Sequence, residues 1–186
     1  MSRIEVEVKL KVSCDDVNSI AQLLSSMGAV RGPVEERDVY YSHPCKDLPS
    51  ADEAIRVRYV DGKPCCLTYK GPRRASPYKA RVEVSVSVTE DPEALLASLG
   101  FRRFVEVVKE RLYADLGDVE VTVDRVRGLG CFVEVESKAG DEGAVTRALE
   151  ALRLRGERIG ETYAEMMAKA LRLRGPRGTW PAPGSP

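Results

Sequence analysis

A chain of 186 residues with 43% hydrophobic and 31% charged side chains has the length and balance of one soluble domain with its own core. Its 29 basic and 29 acidic residues cancel to a formal charge of zero, which argues against a generally basic nucleic-acid binder. No apolar run approaches the roughly 20 residues of a membrane-spanning helix and the opening MSRIEVEV lacks a signal peptide's apolar stretch, so a cytoplasmic protein with no membrane partner is expected.

From the N-terminus, IEVEVKLKV over residues 4–12 alternates strictly between Ile, Val or Leu and Glu or Lys, the pattern of a strand with one aliphatic and one ionic face. SCDDVNSIAQLLSSMG reads as an amphipathic helix, with Ser13 as N-cap, Asp16 at the capping-box position and Gly28 as a left-handed terminator. A loop leads to DVYYS, a polar stretch KDLPSADE, and a strand AIRVRYV. Asp61-Gly62 is a turn signal, and CCLTYKG is the return strand of a hairpin. ARVEVSVSV alternates again; Thr89 or Asp91 then caps a second helix, with Pro92 near its first turn and Gly100 at its end. FVEVVKERLY follows, then the pair VEVTVDRV and CFVEVESK about the turn RGLG. The stretches from Asp141 to about Arg155 and from Glu161 to about Arg174 have helical period, their Leu and Met stripes serving as core contacts. FVEVVKERLY after Gly100 resembles VEERDVYY after Gly28, which hints at two related halves. Residues 1–174 thus read as one domain, and 175–186, GPRGTWPAPGSP with the lone Trp180, as a loose tail.

Few side chains are available for familiar chemistry. Five cysteines (Cys14, Cys45, Cys65, Cys66, Cys131) fall at no metal-ligand spacing, and their odd count argues against a complete disulfide framework, so buried or half-buried thiols are expected. One histidine, His43, in a Ser-His-Pro turn, excludes multi-histidine metal sites and leaves acid–base work to carboxylates, lysine or tyrosine. There is no GxxxxGK[ST] loop; the GLG at 128–130 is a turn.

The charges share faces. Glu5, Glu7, Lys9 and Lys11 lie opposite Ile4, Val6, Val8 and Leu10; Arg56 and Arg58, Thr68 and Lys70, Arg81 with Glu83 and Ser85, Lys109 and Arg111, Glu120 with Thr122 and Asp124, and Glu134 with Glu136 repeat the pattern. Two architectures fit: a sheet whose ionic face meets water, or a barrel lined by both signs of charge and covered outside by the helices. The signs cluster, acidic at 5/7 and 134/136, basic at 56/58 and 109/111. Clustered carboxylates suit a hard divalent cation, and clustered Arg and Lys suit phosphate oxygens. Such a lining is costly to desolvate without a ligand, which favours a metal-polyphosphate.

Glu5-Val-Glu7-Val-Lys9 matches the ExExK signature of the CYTH proteins, also called triphosphate tunnel metalloenzymes. Together with IRVRY, LTYKGP, Arg81 with Glu83, VKERLY and VDRVRGLGCFVEVE, it resembles the branch typified by class IV adenylate cyclases, up to about residue 170. The resemblance implies an α+β fold: a closed eight-stranded antiparallel β-barrel with helices packed on its outside, binding a triphosphate with Mg²⁺ or Mn²⁺. Carried over, Glu5, Glu7, Glu134 and Glu136 would hold metal, and Glu83 would take a second metal or pair with Arg81. Lys9, Arg56, Arg58, Lys70, Arg81, Lys109 and Arg111 would hold phosphate oxygens, with Lys9, Arg111 and Asp124 nearest the chemistry and Asp124 an acidic anchor or an orienter of a basic neighbour. Ser85 departs from the pattern where many members have a carboxylate, which argues against a tightly held second metal, and Tyr163 matches a tyrosine near the C-terminal helix, read as a helix-packing residue ahead of a lid or base-contacting role. The implied reaction is ATP to cyclic AMP and pyrophosphate. Inorganic triphosphatase, thiamine triphosphatase and a non-catalytic nucleotide- or polyphosphate-binding module are the alternatives, with a nucleoside triphosphate or other triphosphate as partner, no nucleic acid, and room for a homodimer.

Overall fold

The computed structural model describes residues 2–174; the tail expected at 175–186, with Trp180, lies outside the described residues. The alternating segments become eight antiparallel strands: β1 (Ser2–Val12), β2 (Ala29–Ser42), β3 (Ala54–Val60), β4 (Lys63–Arg74), β5 (Lys79–Ser87), β6 (Arg102–Asp115), β7 (Val119–Val126) and β8 (Gly130–Ser137). Helices α1 (Val17–Met27), α2 (Glu93–Ser98), α3 (Glu142–Leu152) and α4 (Tyr163–Arg174) accompany them, and a two-residue strand β9 (Glu157–Arg158) leans on β1. The strands run β5-β4-β3-β2-β6-β7-β8-β1, and β1 pairs back onto β5, so the sheet closes into an eight-stranded barrel. Exchanging β1–β4 with β5–β8 leaves that order unchanged: each half is a strand, a helix and three more strands.

Closure follows from the pleat, which sends the aliphatic residues of each strand outward, where helices can cover them. Val6, Val8 and Leu10 of β1, Val121 and Val123 of β7, and Val133 and Val135 of β8 pack beneath Leu24 of α1 and Val145, Ala148 and Leu152 of α3. Leu96 of α2 covers Val39, Tyr41, Val57 and Tyr59 of β2 and β3. Each such buried aliphatic side chain contributes about 1.5–3 kcal/mol. The cover is incomplete on β5, where Val84 and Val86 remain exposed. Among the described residues, no helix is long and apolar enough to cross a membrane.

Several local expectations are corrected. α1 starts one turn later than Ser13, whose hydroxyl accepts from Asp15 N at 3.3 Å in a preceding turn, and Asp16 is its N-cap without a side-chain bond. Gly28 is extended, with φ −168°, instead of left-handed. Glycine is needed there because a Cβ would lie 2.2 Å from the Asp115 carbonyl oxygen, where the start of β2 meets the end of β6. α2 is capped by Pro92 and by neither Thr89 nor Asp91, although the Asp91 carboxylate, one residue earlier, accepts from Glu93 N at 3.0 Å; Gly100 beyond the helix has φ +87°, as its place at the helix end suggests. Asp61 and Gly62 both take positive φ in the β3–β4 hairpin. α4 begins with an unforeseen capping box, Thr162 and Glu165 exchanging side-chain to backbone bonds at 3.1 and 2.6 Å.

Nor are all the cysteines thiols. Cys14 and Cys131 form a disulfide across 117 residues, because the β1–β8 register sets Val12 opposite Cys131 and carries Cys14 just past it. An odd count excludes only full pairing. Cys45 and Cys65 are exposed free thiols, and Cys66 is half-buried.

Candidate active site

The ionic faces turn inward around a cavity of about 280 Å³. Glu5, Glu7, Lys9, Arg56, Lys70, Arg81, Glu83, Lys109, Arg111 and Asp124 are all buried, and Arg58, Glu134 and Glu136 are half-buried on the same lining. A sheet with its charges in bulk water is thereby excluded. Toward α4 the inward positions become apolar: Tyr40, Val105, Val107, Val126 and Phe132 meet Tyr163, Met166 and Met167, so α4 covers that end.

Three carboxylates converge at one point of the tunnel. Single oxygens of Glu5, Glu7 and Glu136 lie within 4.8 Å of one another, Glu5 and Glu7 from β1 and Glu136 from the adjacent β8, opposite Glu7 in register. Cations surround them. Lys70 Nζ donates to Glu5 at 2.6 Å, Arg81 Nε to Glu5 at 3.2 Å, Lys79 Nζ to Glu7 at 2.8 Å, and Arg3 pairs with Glu136 at 2.7 Å. Burial would raise Glu7, but the charges of Lys79, Lys9 and Lys70 together more than offset it and hold the carboxyl at about 2. Glu136 goes the other way: burial, then the charges of Glu5 and Glu7, push it up to about 8 despite Arg3. An oxygen cluster so crowded with negative charge that one member resists ionisation fits a hard divalent cation.

Of the other expected carboxylates, Glu134 lies outside this cluster, held by Lys9 at 3.3 Å and by Arg111 at 2.5 Å. Against burial and the nearby Glu7, Lys9 and Arg111 keep it at about 2. Glu83 pairs with Lys70 at 2.9 Å and Arg3 at 3.5 Å; Arg81 belongs to Glu5, so the expected Glu83–Arg81 pair does not form. Asp124 orients a basic neighbour: fully buried, it accepts from Arg111 Nε and Nη2 at 2.6 and 2.5 Å.

Tyr163 does more than pack a helix. Its hydroxyl donates to Asp124 at 2.7 Å and its ring lies 3.7 Å from Lys9 Nζ. Burial and the charge of Lys79 bring Lys9 down to about 8, although Glu134 and Glu7 pull the other way.

Sequence reasoning passed over Glu36, Asp38 and Lys79. Glu36 and Asp38 on β2 are almost wholly buried and gather Arg58 (2.7 and 2.8 Å to Asp38), Lys109 (2.7 Å to Asp38, 3.0 Å to Glu36) and the Tyr113 hydroxyl, which donates to Glu36. Burial notwithstanding, Arg111, Arg58 and Lys109 hold Glu36 at about 2. The signal was present: Glu36, Asp38 and Tyr40 keep one parity in VEERDVYY, as Lys79 and Arg81 do in YKARVEV. Arg56 is the least engaged of these cations; among the described residues its Nε has no partner and its nearest carboxylate, on Asp38, is 3.7 Å away.

A family model described as the CYTH domain matches residues 3–169. MJ0240 of Methanocaldococcus jannaschii, provisionally named an adenylate cyclase, is 31% identical over 151 residues, which cover 79% of this chain and 85% of that protein. Adenylate cyclase CyaB of Aeromonas hydrophila is 25% identical over 171 residues, 91% of this chain and 87% of that one. The solved structure of the PH1819 protein from Pyrococcus horikoshii OT3 superposes with a TM-score of 0.74 at 32% identity, covering 89% of this chain and 98% of that chain.

Proposed function

Because this chain belongs to the CYTH domain family, we propose that its tunnel is the active site of a divalent-metal-dependent enzyme acting on a nucleoside triphosphate, with cyclisation of ATP to cyclic AMP as its reaction. The observation that carries this reading is the convergence of Glu5, Glu7 and Glu136 inside a lining where cations outnumber carboxylates. Two relatives with adenylate cyclase names support the choice of reaction.

Glu5, Glu7 and Glu136 would hold Mg²⁺ or Mn²⁺, with Glu134 and Glu83 kept in place by their own lysine and arginine partners. When bound, the ion neutralises phosphate charge as a Lewis acid. Arg56, Arg58, Lys70, Arg81, Lys109 and Arg111, joined by Lys79, surround the cavity and would take the phosphate oxygens through charge-assisted hydrogen bonds. Transfers at phosphorus need chiefly alignment and charge stabilisation, which this lining supplies without histidine. The ribose 3′-hydroxyl oxygen bonds to the α-phosphorus, the bond from that phosphorus to the bridging oxygen breaks, and pyrophosphate leaves. Lys9, low enough to be partly neutral near pH 8, would accept the hydroxyl proton, and Arg111 would stabilise the departing charge. Asp124 acts through Arg111 as a positioning residue.

Hydrolysis of the terminal phosphate is the second reading, since a lining of this kind grips phosphates whatever they are attached to. The deciding experiment supplies ATP, tripolyphosphate and thiamine triphosphate with Mg²⁺ or Mn²⁺ and identifies the products. Cyclic AMP with pyrophosphate is the expected result; orthophosphate would select the hydrolase, and no turnover of any of the three would reduce the protein to a binding module.

A further inference from the structure

A second cavity, of about 220 Å³, lies between α4 and the segment joining β2 to β3. Tyr40, Leu48, Ile55, Phe104, Ala164 and Ala168 make its walls mainly carbon, and Asp52, Glu53 and Glu165 add carboxylates. It adjoins the tunnel, for Tyr40, Lys70, Arg81 and Thr162 line both spaces. A phosphate chain held at Lys70 and Arg81 therefore has an apolar chamber beside it.

Resting on the triphosphate reading above, we infer that this chamber receives the nucleoside end of the substrate, a flat heteroaromatic base carrying an exocyclic amine. The chamber alone is smaller than the roughly 300–1,000 Å³ of a complete small-molecule site, whereas with the tunnel it reaches that range. A two-part ligand, anionic at one end and aromatic at the other, matches the two linings. Inorganic triphosphate would gain nothing from walls of Phe104, Leu48 and Ile55, and a nucleobase gains both apolar burial and contact with aromatic rings. The carboxylates suit the amine. Asp52 is engaged by Arg73 at 2.8 Å, Glu53 by Lys46 at 2.6 Å, and Glu165 by Arg73 at 3.0 Å, and each carboxylate retains oxygen lone pairs to accept a further N–H.

The test compares ATP and tripolyphosphate, each titrated calorimetrically with Mg²⁺ into wild type, Ala164→Phe, which fills the chamber, and Phe104→Leu, which removes an aromatic wall at little cost in volume. Melting curves confirm that each variant is folded. ATP should bind wild type more tightly than tripolyphosphate does, and each variant should erode that advantage about tenfold or more while tripolyphosphate affinity stays within about twofold. Parallel losses for the two ligands, or none for either, in the folded variants would overturn the chamber assignment and leave the tunnel reading standing. If wild type binds neither ligand, the tunnel reading itself fails, and this inference with it.

Discussion

Asp124→Asn isolates the buried charge that holds Arg111 in place. Asp124 is fully buried and accepts two Arg111 bonds, at 2.6 and 2.5 Å, together with the Tyr163 hydroxyl at 2.7 Å. An amide of the same shape has one acceptor oxygen and turns an NH₂ donor toward guanidinium donors. Removing one member of a buried ion pair costs about 3–5 kcal/mol. The lower end applies, since Glu134 at 2.5 Å and Glu36 at 3.8 Å still face Arg111. For a chain of 186 residues, about 3 kcal/mol corresponds to a fall in Tm of about 6–12 °C. Tyr163→Phe removes one hydrogen bond and should cost about 1 kcal/mol, or about 2–4 °C. Differential scanning calorimetry without metal measures both. A Tm for Asp124→Asn within about 2 °C of wild type would mean that Arg111 does not depend on this carboxylate, and the positioning role would be wrong.

Glu7→Gln should weaken Mn²⁺ binding by at least the roughly 10–100-fold that loss of an outer partner costs, with an unchanged circular dichroism spectrum; an unfolded variant would mark Glu7 as structural. Glu136, raised to about 8 in the fold, binds a proton that the unfolded chain releases near 4.5, so its contribution to stability is present at low pH and lost as pH rises between those values. A cation must displace that proton: Mn²⁺ affinity should climb by up to about tenfold per pH unit until about pH 8, and Glu136→Gln should flatten the climb in titrations from pH 6 to 9. Reducing the Cys14–Cys131 disulfide releases a loop of 117 residues and should cost about 4–5 kcal/mol, seen as a lower Tm; Cys131→Ser should show the same Tm with and without dithiothreitol.

The inward direction of the ionic face rested on the clustering of signs and the ExExK resemblance, whereas strand identity and the separation of an ionic from an aliphatic face were legible because a pleated strand writes its two faces into alternate letters, as in IEVEVKLKV and VEVTVDRV. The partners of those charges were not. Arg81 joins Glu5 and not Glu83 because the register between β1 and β5 sets Glu5 opposite Arg81, and register between distant strands leaves no local signal. Gly28 was misread for a related reason: its lack of a Cβ answers to Asp115, 87 residues away, whereas helix-end rules look only at neighbours. The Cys14–Cys131 pair depends likewise on the β1–β8 register. Glu36 and Asp38 sat on a strand whose first half carries Gly and Pro, which hid its alternation.

The faintness of the internal repeat has a physical cause in the same tunnel. Under the exchange that preserves strand order, β1 with Glu5 and Glu7 corresponds to β5 with Lys79 and Arg81, and these residues face one another in register. β2 with Glu36 and Asp38 corresponds to β6 with Lys109 and Arg111, and β3 with Arg56 and Arg58 to β7 with Asp124. β4 with Lys70 corresponds to β8 with Glu134 and Glu136; Lys9 and Glu83, exceptions on β1 and β5, are themselves of opposite sign, and Arg3 on β1 stands outside the pattern. The halves share topology and invert charge, so identity between them is lost at the positions that matter most. Inversion also solves an electrostatic problem. A barrel lined by cations alone would repel itself when empty, with several like charges in low dielectric. Giving each half the counterions of the other keeps the empty barrel folded, and it leaves every phosphate-binding cation with a carboxylate to leave, and every metal-binding carboxylate with a cation to release, when metal and triphosphate arrive together.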